Sequence, residues 1–202
     1  MRSHLTDCGI PGIAEVPYGL HMCHFYPSPQ VLMDALTAYF MAGLRKRERC
    51  LWVGWLPLSA DDIRKEVTKV PEFVEALGSG QLSIFDALEW YGEPSTLNAE
   101  ALVRRLIDEE ERAVFDGFEG LRMTGNASFV PRDQWSRFME YEELLHDSVS
   151  ARRILVSCAY HRDDCGPVDI MEIAHCHHAV LDKGQQYWQV FMPESRTNGH
   201  LR

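Results

Sequence analysis

Long hydrophobic runs are missing from this 202-residue sequence. No apolar segment approaches the ~20 residues that a membrane-spanning helix needs, so no transmembrane segment is expected. Residues 1–19 contain one early arginine but no continuous apolar stretch, which argues against a signal peptide. Without export, the six cysteines are expected to be thiols rather than a disulfide framework, and the expected compartment is the cytoplasm.

Clustered positive charge is also scarce. The formal net charge is −10, and a nucleic-acid surface would need grouped Lys and Arg, so direct binding to nucleic acid is not expected. The only dense basic run is Arg45-Lys46-Arg47, directly followed by Glu48. We interpret it as the solvated end of a helix, where cations complement the helix dipole.

The common catalytic signatures are absent. The sequence contains no GxSxG, HExxH, HxE…PCxxC or GxGxxG motif, which removes the usual hydrolase, deaminase and dinucleotide-binding patterns. No combination of nucleophile, base and oxyanion site is evident either. The protein is therefore expected not to be an enzyme, and a residual NTPase or a thiol-dependent activity is the least favoured alternative.

Glycine and lysine are missing where a nucleotide-binding domain would carry its phosphate loop. Residues 21–54 read as strand, loop, helix and strand, and the loop is Tyr26-Pro27-Ser28-Pro29-Gln30. A phosphate loop needs glycines for close backbone approach and a lysine for the phosphates. Two prolines also remove two amide donors. The sequence predicts the geometry of a nucleotide fold without its phosphate chemistry.

The hydrophobic pattern predicts strands alternating with helices, in one domain over residues 18–192. Such alternation is typical of an α/β fold, here a three-layer, mostly parallel sheet flanked by helices. Residues 1–17 are predicted to form a loosely packed arm, and residues 193–202 a tail or linker. The predicted strands span residues 20–26, 50–55, 82–86, 120–125, 153–160 and 186–192, and the helices residues 30–45, 59–77, 98–118, 131–148 and 169–181.

Several segments in order resemble one family, the methanogen/methylotroph sensory (MEDS) domain found in a dichloromethane-responsive repressor. The resemblance covers Tyr18 to Phe191 and rests on HMCHFY, GLRKRERCLWV, GQLSIFDALEWY, GFEGLRMTG, FMEYEELL and LVSCAYHRDD. The chain departs from the family pattern at Lys46, Asn126 and His146, where Gly, Glu and Asn are common.

The resemblance implies a RecA-like fold with a degenerate phosphate loop that senses hydrocarbon-derived or one-carbon compounds without catalysis. It also implies a place in signal transduction or transcriptional regulation. The partners expected on this basis are a small organic ligand and a regulatory effector protein or fused output domain. A second copy of the chain is a further candidate partner, and a membrane is not one.

Cysteine and histidine form three groups along the chain. They comprise His21, Cys23 and His24 on the first strand, Cys158, His161 and Cys165 at the fifth, and His175, Cys176, His177 and His178 near the last helix. Zinc or another transition metal binds such thiolate and imidazole ligands tetrahedrally. The candidate metal ligands are Cys158, His161, Cys165 and His175, with a residue of the first strand or of the 175–178 run as the alternative fourth ligand. Haem ligation by one of these residues is a less favoured variant.

Strand periodicity restricts such a site, because His21 and Cys23 face one side of a strand while Met22 and His24 face the other. The plainer alternative is that Cys23 and Cys158 are core residues, since buried cysteine behaves as a small hydrophobe. A third alternative is a redox sensor in which the thiol of Cys158 or Cys165 reacts with an electrophile. That role requires a lowered thiol pKa, which His161 or Arg162 could provide.

The candidate ligand-binding residues are those expected at the carboxyl ends of the strands and in their crevice, where open α/β sheets bind ligands. They are His21, Cys23, His24, Tyr26, Trp90, Arg122, Glu142, Cys158 and Tyr160. The implied strand order places strand four, with Arg122, beside strand one. For Arg122 and Glu142 a structural ion pair is favoured over ligand contact, since such groups are rarely buried unpaired. Trp90 and Tyr91 are candidates for an apolar pocket wall or for simple core packing.

Overall fold

The computed structural model describes residues 5–184 and 188–192. Within them the strands are β1 (Leu5–Asp7), β2 (Glu15–Pro17), β3 (Leu20–Tyr26), β4 (Arg49–Gly54), β5 (Leu82–Asp86), β6 (Leu121–Asn126), β7 (Ile154–His161), β8 (Ala179–Lys183) and β9 (Trp188–Phe191). The α-helices are α1 (Pro29–Arg45), α2 (Ala60–Val67), α3 (Pro71–Ser79), α4 (Ala87–Tyr91), α5 (Ala99–Phe115), α6 (Trp135–Val149) and α7 (Pro167–His175).

The main sheet has seven strands in the order β5-β4-β6-β7-β3-β8-β9, and all pairs are parallel except β8 with β9. One apolar core lies between the sheet and helices α1, α2 and α3. A second core lies on the other face, under α4 to α7. The predicted three-layer α/β fold with a mostly parallel sheet is therefore confirmed.

Burial on both faces explains the apolar character of the central strands. Every residue of β3 is buried, and β7 is buried from Ile154 to Tyr160. Parallel strands that are covered by helices on both faces have no side chains facing solvent, so their sequences are continuous apolar runs. The helices begin at local signals, such as the Ser59 capping box at the start of α2.

Two expectations about the topology are wrong. Strand β6, the predicted fourth strand, does not adjoin β3, because β7 lies between them. The predicted helix 169–181 ends at His175, and residues 179–183 instead form strand β8 beside β3. The predicted helix includes the apolar residues 179–181, whose pairing with β3 is visible only in the three-dimensional structure.

The amino-terminal arm is packed rather than loose. Strands β1 and β2 form a separate antiparallel pair. Thr6, Cys8 and Ile10 between and beside them are buried, and Cys8 and Ile10 join the core under α1. Residues 1–4 and the predicted tail 193–202 lie outside the described residues, as does the start of the predicted last strand. The domain boundaries stay a prediction.

None of the helices within residues 5–184 combines the length and the apolar character needed to cross a bilayer. All six cysteines are free thiols.

Candidate functional site

The carboxyl ends of β3, β6 and β7 surround the first candidate site. The chain leaves the neighbouring strands β3 and β7 in opposite directions, through α1 towards β4 and through α7 towards β8. Because α1 and α7 lie on opposite faces of the sheet, a crevice opens between the ends of these strands. Ligands of open α/β sheets bind at such a topological switch point.

Side chains occupy the phosphate-loop position at the end of β3. The Ser28 hydroxyl caps α1 by accepting from the Val31 amide at 3.4 Å. The Tyr26 ring lies with its centroid 5.2 Å from that of His161, and its hydroxyl lies 3.4 Å from the Ser128 hydroxyl. Tyr26 therefore ties the end of β3 to the segments that follow β6 and β7.

A small pocket of about 270 Å³ lies at the carboxyl ends of β6 and β7. The hydroxyl of Tyr160 is buried and makes no hydrogen bond within the described residues, although the residue lines this pocket. The wall is mixed in polarity, with an indole, an imidazole, a guanidinium and a thiol. Its residues are Ala127, Ser128, Val130, Arg132, Trp135, Tyr160, His161, Asp164 and Cys165.

The two cysteines expected to be reactive lack the electrostatics that this role needs. Burial, reinforced by Asp169, raises the pKa of the Cys165 thiol to about 11. Burial also raises the pKa of Cys158, and the neighbouring Glu142 carboxylate adds to that shift. Since the thiolate is the nucleophile, both shifts oppose the thiol-sensor alternative, in which the pKa had to fall.

A buried polar cluster, here called the His21 cluster, consists of His21, Glu142, Cys158 and His177. It lies between the sheet and α6, with its four candidate ligand atoms within 4.8 Å of one another. Glu142 Oε2 lies 3.1 Å from His21 Nε2 and 3.3 Å from His177 Nε2. Cys158 Sγ lies 3.4 Å from His21 Nε2 and 3.5 Å from Glu142 Oε2. This set of nitrogen, oxygen and sulfur atoms could hold a divalent metal ion.

Electrostatics in the His21 cluster favour a charged Glu142. Burial raises the pKa of its carboxyl, but the bonds from His177 and His21 outweigh burial and lower it to about 2. Burial lowers the pKa of His21 to about 3, with repulsion from His177 adding to the shift. For His177, burial works in the same direction, but nearby Cys23, Cys158 and Glu142 raise the pKa well above its ordinary value.

The predicted metal set of Cys158, His161, Cys165 and His175 is not brought together. Within the described residues, only Cys158 of these four joins a group with metal-binding geometry. His161 and Cys165 line the pocket at the strand ends, where His161 Nδ1 faces Asp164 Oδ2 at 3.4 Å. His175 is exposed on α7. The expected pleat is confirmed, since His21 and Cys23 face α6 while Met22 packs on the α1 side.

The expected Arg122–Glu142 ion pair is wrong, because the two residues lie on opposite faces of the sheet. Arg122 points towards α1, and its Nε donates to Glu48 Oε2 at 2.5 Å. Glu142 projects from α6 on the other face. The basic run before Glu48 is exposed as predicted, whereas Glu48 itself is fully buried. Arg122 is therefore a structural residue and not part of a ligand crevice.

The remaining candidate ligand residues lie in different surroundings. His24 faces the α1 side of β3, where its Nδ1 lies 3.1 Å from the Ser157 hydroxyl. Trp90 is buried in the core under α4 to α7, with the Arg105 guanidinium 4.0 Å above its ring. Cys23 is in the same core. Of the predicted set, Tyr160 lines the pocket, Tyr26 contacts the pocket residues Ser128 and His161, and His21, Glu142 and Cys158 lie in the buried cluster.

Sequence reasoning missed the specific role of His177 and the pocket residues Ser128 and Trp135. His177 had a signal, since it belongs to the histidine-rich run 175–178, but its neighbours carried the same signal. His177 differs from His175 and His178 because the turn after α7 directs its side chain into the buried cluster. Its Nδ1 there lies 2.6 Å from the Ile173 carbonyl oxygen. Ser128 and Trp135 carry no local signal that separates them from other loop and helix residues.

Comparisons with known proteins support the architecture. The sequence model of the family described as "MEthanogen/methylotroph, DcmR Sensory domain", or MEDS, matches residues 20–178. The crystal structure of a KaiC-like protein from the hyperthermophilic archaeon Pyrococcus horikoshii OT3 is similar, with a TM-score of 0.63 at 14% identity over 96% of this chain and 90% of that chain. At that identity the likeness shows the fold alone, and it confirms the RecA-like prediction. The comparison with curated proteins gave no match.

Proposed function

The chain belongs to the MEDS family of sensory domains, and from that premise we propose that it binds a small hydrocarbon-derived or one-carbon molecule without transforming it. The proposed binding site is the pocket at the carboxyl ends of β6 and β7. The observation that carries the proposal is the pocket itself, which opens at the strand ends and has a wall of mixed polarity that includes Ser128, Trp135 and Tyr160. A concave site of mixed polarity at the carboxyl ends of a parallel sheet is the usual place for a small ligand in such folds.

Pocket size supports a small ligand. Its volume of about 270 Å³ lies just below the roughly 300–1,000 Å³ that is typical of sites for drug-sized molecules. Trp135 and Val130 supply apolar surface, while Ser128 and His161 supply polar groups that could orient a compound bearing one heteroatom. Such a wall suits a short, weakly polar molecule better than a polyanion.

The end of β3 supports binding over nucleotide chemistry. A nucleotide would need backbone amides and a lysine at this position, whereas the chain has two prolines, and the Ser28 hydroxyl is engaged in capping α1. The Tyr26 ring, in contact with His161, lies beside the same position. We therefore include the absence of catalysis in the proposal.

A sensor must pass its state to another protein. We propose that this domain acts in the cytoplasm on a regulatory effector or a fused output domain. In support, α7 and β9 line one largely apolar groove at the end of the sheet, where Ile170, Phe191 and Met192 are exposed. Contiguous exposed apolar surface of this kind is typical of interaction sites.

Ligand-observed NMR with dichloromethane and with methanol tests the binding site. We expect saturation transfer to at least one of the two probes, and its loss in Ser128→Tyr, which fills the pocket from an exposed position. His161→Ala removes a polar group of the pocket wall and is expected to weaken binding by up to about tenfold, the value of one hydrogen bond. Ser95→Tyr is the matched control, because Ser95 is exposed and lies outside the pocket wall.

The same samples, incubated with Mg·ATP, test the absence of catalysis. We expect no turnover of the nucleotide. Tight binding of Mg·ATP with sustained hydrolysis would overturn the proposal, as would probe binding that survives Ser128→Tyr unchanged.

A further inference from the structure

We propose that the His21 cluster is a closed, four-ligand binding site for Zn²⁺. The four side chains are between 0 and 4% exposed, so they bind no bulk water. They offer two imidazole nitrogens, one thiolate and one carboxylate oxygen, which are the ligand types of protein zinc sites. The proposal goes beyond ligand sensing, since this cluster lies on the α6 side of the sheet and shares no residue with the pocket wall.

The spacing of the ligand atoms fits a tetrahedron. Bonds of about 2.0–2.3 Å from zinc to nitrogen, oxygen and sulfur place neighbouring ligand atoms about 3.3–3.8 Å apart. Of the six separations between His21 Nε2, Glu142 Oε2, His177 Nε2 and Cys158 Sγ, four run from 3.1 to 3.5 Å and all lie within 4.8 Å. Only small rotations of the side chains are therefore needed to place one ion at the centre.

One histidine is already oriented as a metal ligand. His177 Nδ1 lies 2.6 Å from the Ile173 carbonyl oxygen, to which it can donate only as N–H. When the ring is neutral, that bond leaves the lone pair on Nε2, which faces the cluster, so a metal ion would displace the proton that Nε2 carries in the ion-free protein. Metal-binding histidines characteristically donate their other ring N–H to a carbonyl or a carboxylate in this way.

Unsatisfied polar atoms point to a missing partner. His177 Nε2 makes no hydrogen bond of good geometry within the described residues, although Glu142 Oε2 is 3.3 Å away. Glu142 Oε1 also has no hydrogen-bond partner there. Native proteins satisfy more than nine-tenths of their buried polar groups, so several such atoms in one cluster are unusual. A cation at the centre would satisfy the His177 nitrogen directly.

Charge balance favours a divalent ion. Within the described residues the ion-pair partners of Glu142 are His21 and His177, with no Lys or Arg among them. A buried carboxylate needs a compensating charge. Zn²⁺ would balance both the Glu142 carboxylate and a Cys158 thiolate, which gives a neutral site. Without the ion, the carboxylate depends on a protonated histidine, and this arrangement is the competing outcome of the test.

The site would join distant parts of the chain. His21 comes from β3, Glu142 from α6, Cys158 from β7 and His177 from the turn between α7 and β8. Four bonds to one ion would fix α6 on the sheet and hold the turn that leads into β8. A zinc ion with four protein ligands has no open position, so its role is structural.

Metal analysis of the purified full chain under reducing conditions tests the proposal. We expect one zinc per chain after dialysis against zinc and then buffer. In the cobalt-substituted protein we expect the d–d bands of a tetrahedral ion and a thiolate-to-cobalt charge-transfer band. Cys158→Ser should abolish that band, and His177→Gln should weaken zinc retention against a chelator by at least about tenfold.

Matched controls are available on the same chain. His175→Gln and Cys165→Ser change an exposed histidine and a partly exposed cysteine outside the cluster, so both should retain the metal and the cobalt spectrum. If the cluster variants fail to fold, the spectrum of the wild-type cobalt protein decides alone. The proposal is overturned if the wild type binds no stoichiometric metal, if its cobalt spectrum lacks the thiolate band, or if Cys158→Ser keeps that band.

Discussion

Removing the charge of Glu48 is expected to lower the free energy of unfolding of the protein. Glu48 and Arg122 are both fully buried, and Arg122 Nε donates to Glu48 Oε2 at 2.5 Å. The other carboxylate oxygen, Oε1, accepts from the Thr6 hydroxyl at 2.5 Å and from the Tyr18 hydroxyl at 2.6 Å. One carboxylate therefore joins β6, the arm and the segment before β3.

Arg122 also holds the arm through backbone oxygens. Its Nη atoms donate to the carbonyls of Asp7 at 2.7 Å, Cys8 at 3.0 Å and Tyr39 at 2.6 Å. In Glu48→Gln the guanidinium charge stays buried without its counter-charge, which costs about 3–5 kcal/mol of unfolding free energy. In Arg122→Met the carboxylate and the three carbonyls lose their donor, and we expect a loss of similar size.

The double variant gives the sharpest measurement. Glu48→Gln with Arg122→Met removes both charges, so its loss should be smaller than the sum of the single losses by about 2–3 kcal/mol. Urea unfolding followed by far-UV circular dichroism and tryptophan fluorescence measures each value. Limited proteolysis should also show faster cleavage within residues 5–17 in Arg122→Met, because the arm loses its anchoring bonds.

The matched control is Glu66→Gln, which removes the charge of an exposed ion pair. Glu66 lies on α2, and its partner Lys69 follows the end of that helix. Exposed pairs contribute about 0–1 kcal/mol, so this variant should unfold almost like the wild type. Single losses that add within about 0.5 kcal/mol in the double variant would refute the reasoning, because independent sites add in this way.

Two further predictions concern packing and pH. Gly43→Ala should lower the free energy of unfolding in urea by about 1–3 kcal/mol, because an added Cβ would lie 2.8 Å from Arg122 Cδ. Gly78→Ala is the control, since a Cβ there would meet no atom within 4 Å, and it should stabilise α3 by about 0.5–1 kcal/mol. Equal effects of the two variants would contradict this. Burial lowers the pKa of His24 from 6.5 to about 4, so His24 in the unfolded chain takes up a proton first as the pH falls. The contribution of His24 to the free energy of unfolding is therefore complete above pH 6.5. About 3 kcal/mol should be lost as the pH drops towards 4. His24→Gln should reduce the slope of the unfolding free energy across that range without removing it, because burial also lowers the pKa of His21 and of His178. An unchanged slope would show that His24 does not contribute.

Much of the fold was predictable because its signals are local. Apolar runs bounded by turn residues located β3, β4, β5, β6 and β7, and their alternation with helical periodicity gave a parallel α/β sheet. The end of α7 was mispredicted because the short apolar run at residues 179–181 suits either element. What makes them a strand is the pairing of Ala179 to Asp182 with β3.

The candidate sites were less predictable, because they depend on which face of the sheet each side chain occupies. The pleat of β3 correctly separated His21 and Cys23 from Met22 and His24. Nothing local, however, showed that Arg122 faces α1 while α6 docks on the opposite face, so Arg122 was paired with a carboxylate on the wrong face. Its actual partner, Glu48, directly follows the exposed basic run at residues 45–47, so nothing in the sequence indicated that Glu48 is buried.

Composition and periodicity are properties of neighbouring residues, and they were enough to predict the fold class and the loss of phosphate-loop chemistry. The family resemblance came from six sequence segments in order. The meeting of His21, Glu142, Cys158 and His177 required strand order, helix docking and one turn geometry together. Glu142 and His177 lie 121 and 156 positions after His21 in the chain. At such separations the sequence spacing does not predict a contact, which depends on how the whole domain packs. The pocket beside Tyr160 arises for the same reason, at the point where separate strands end side by side.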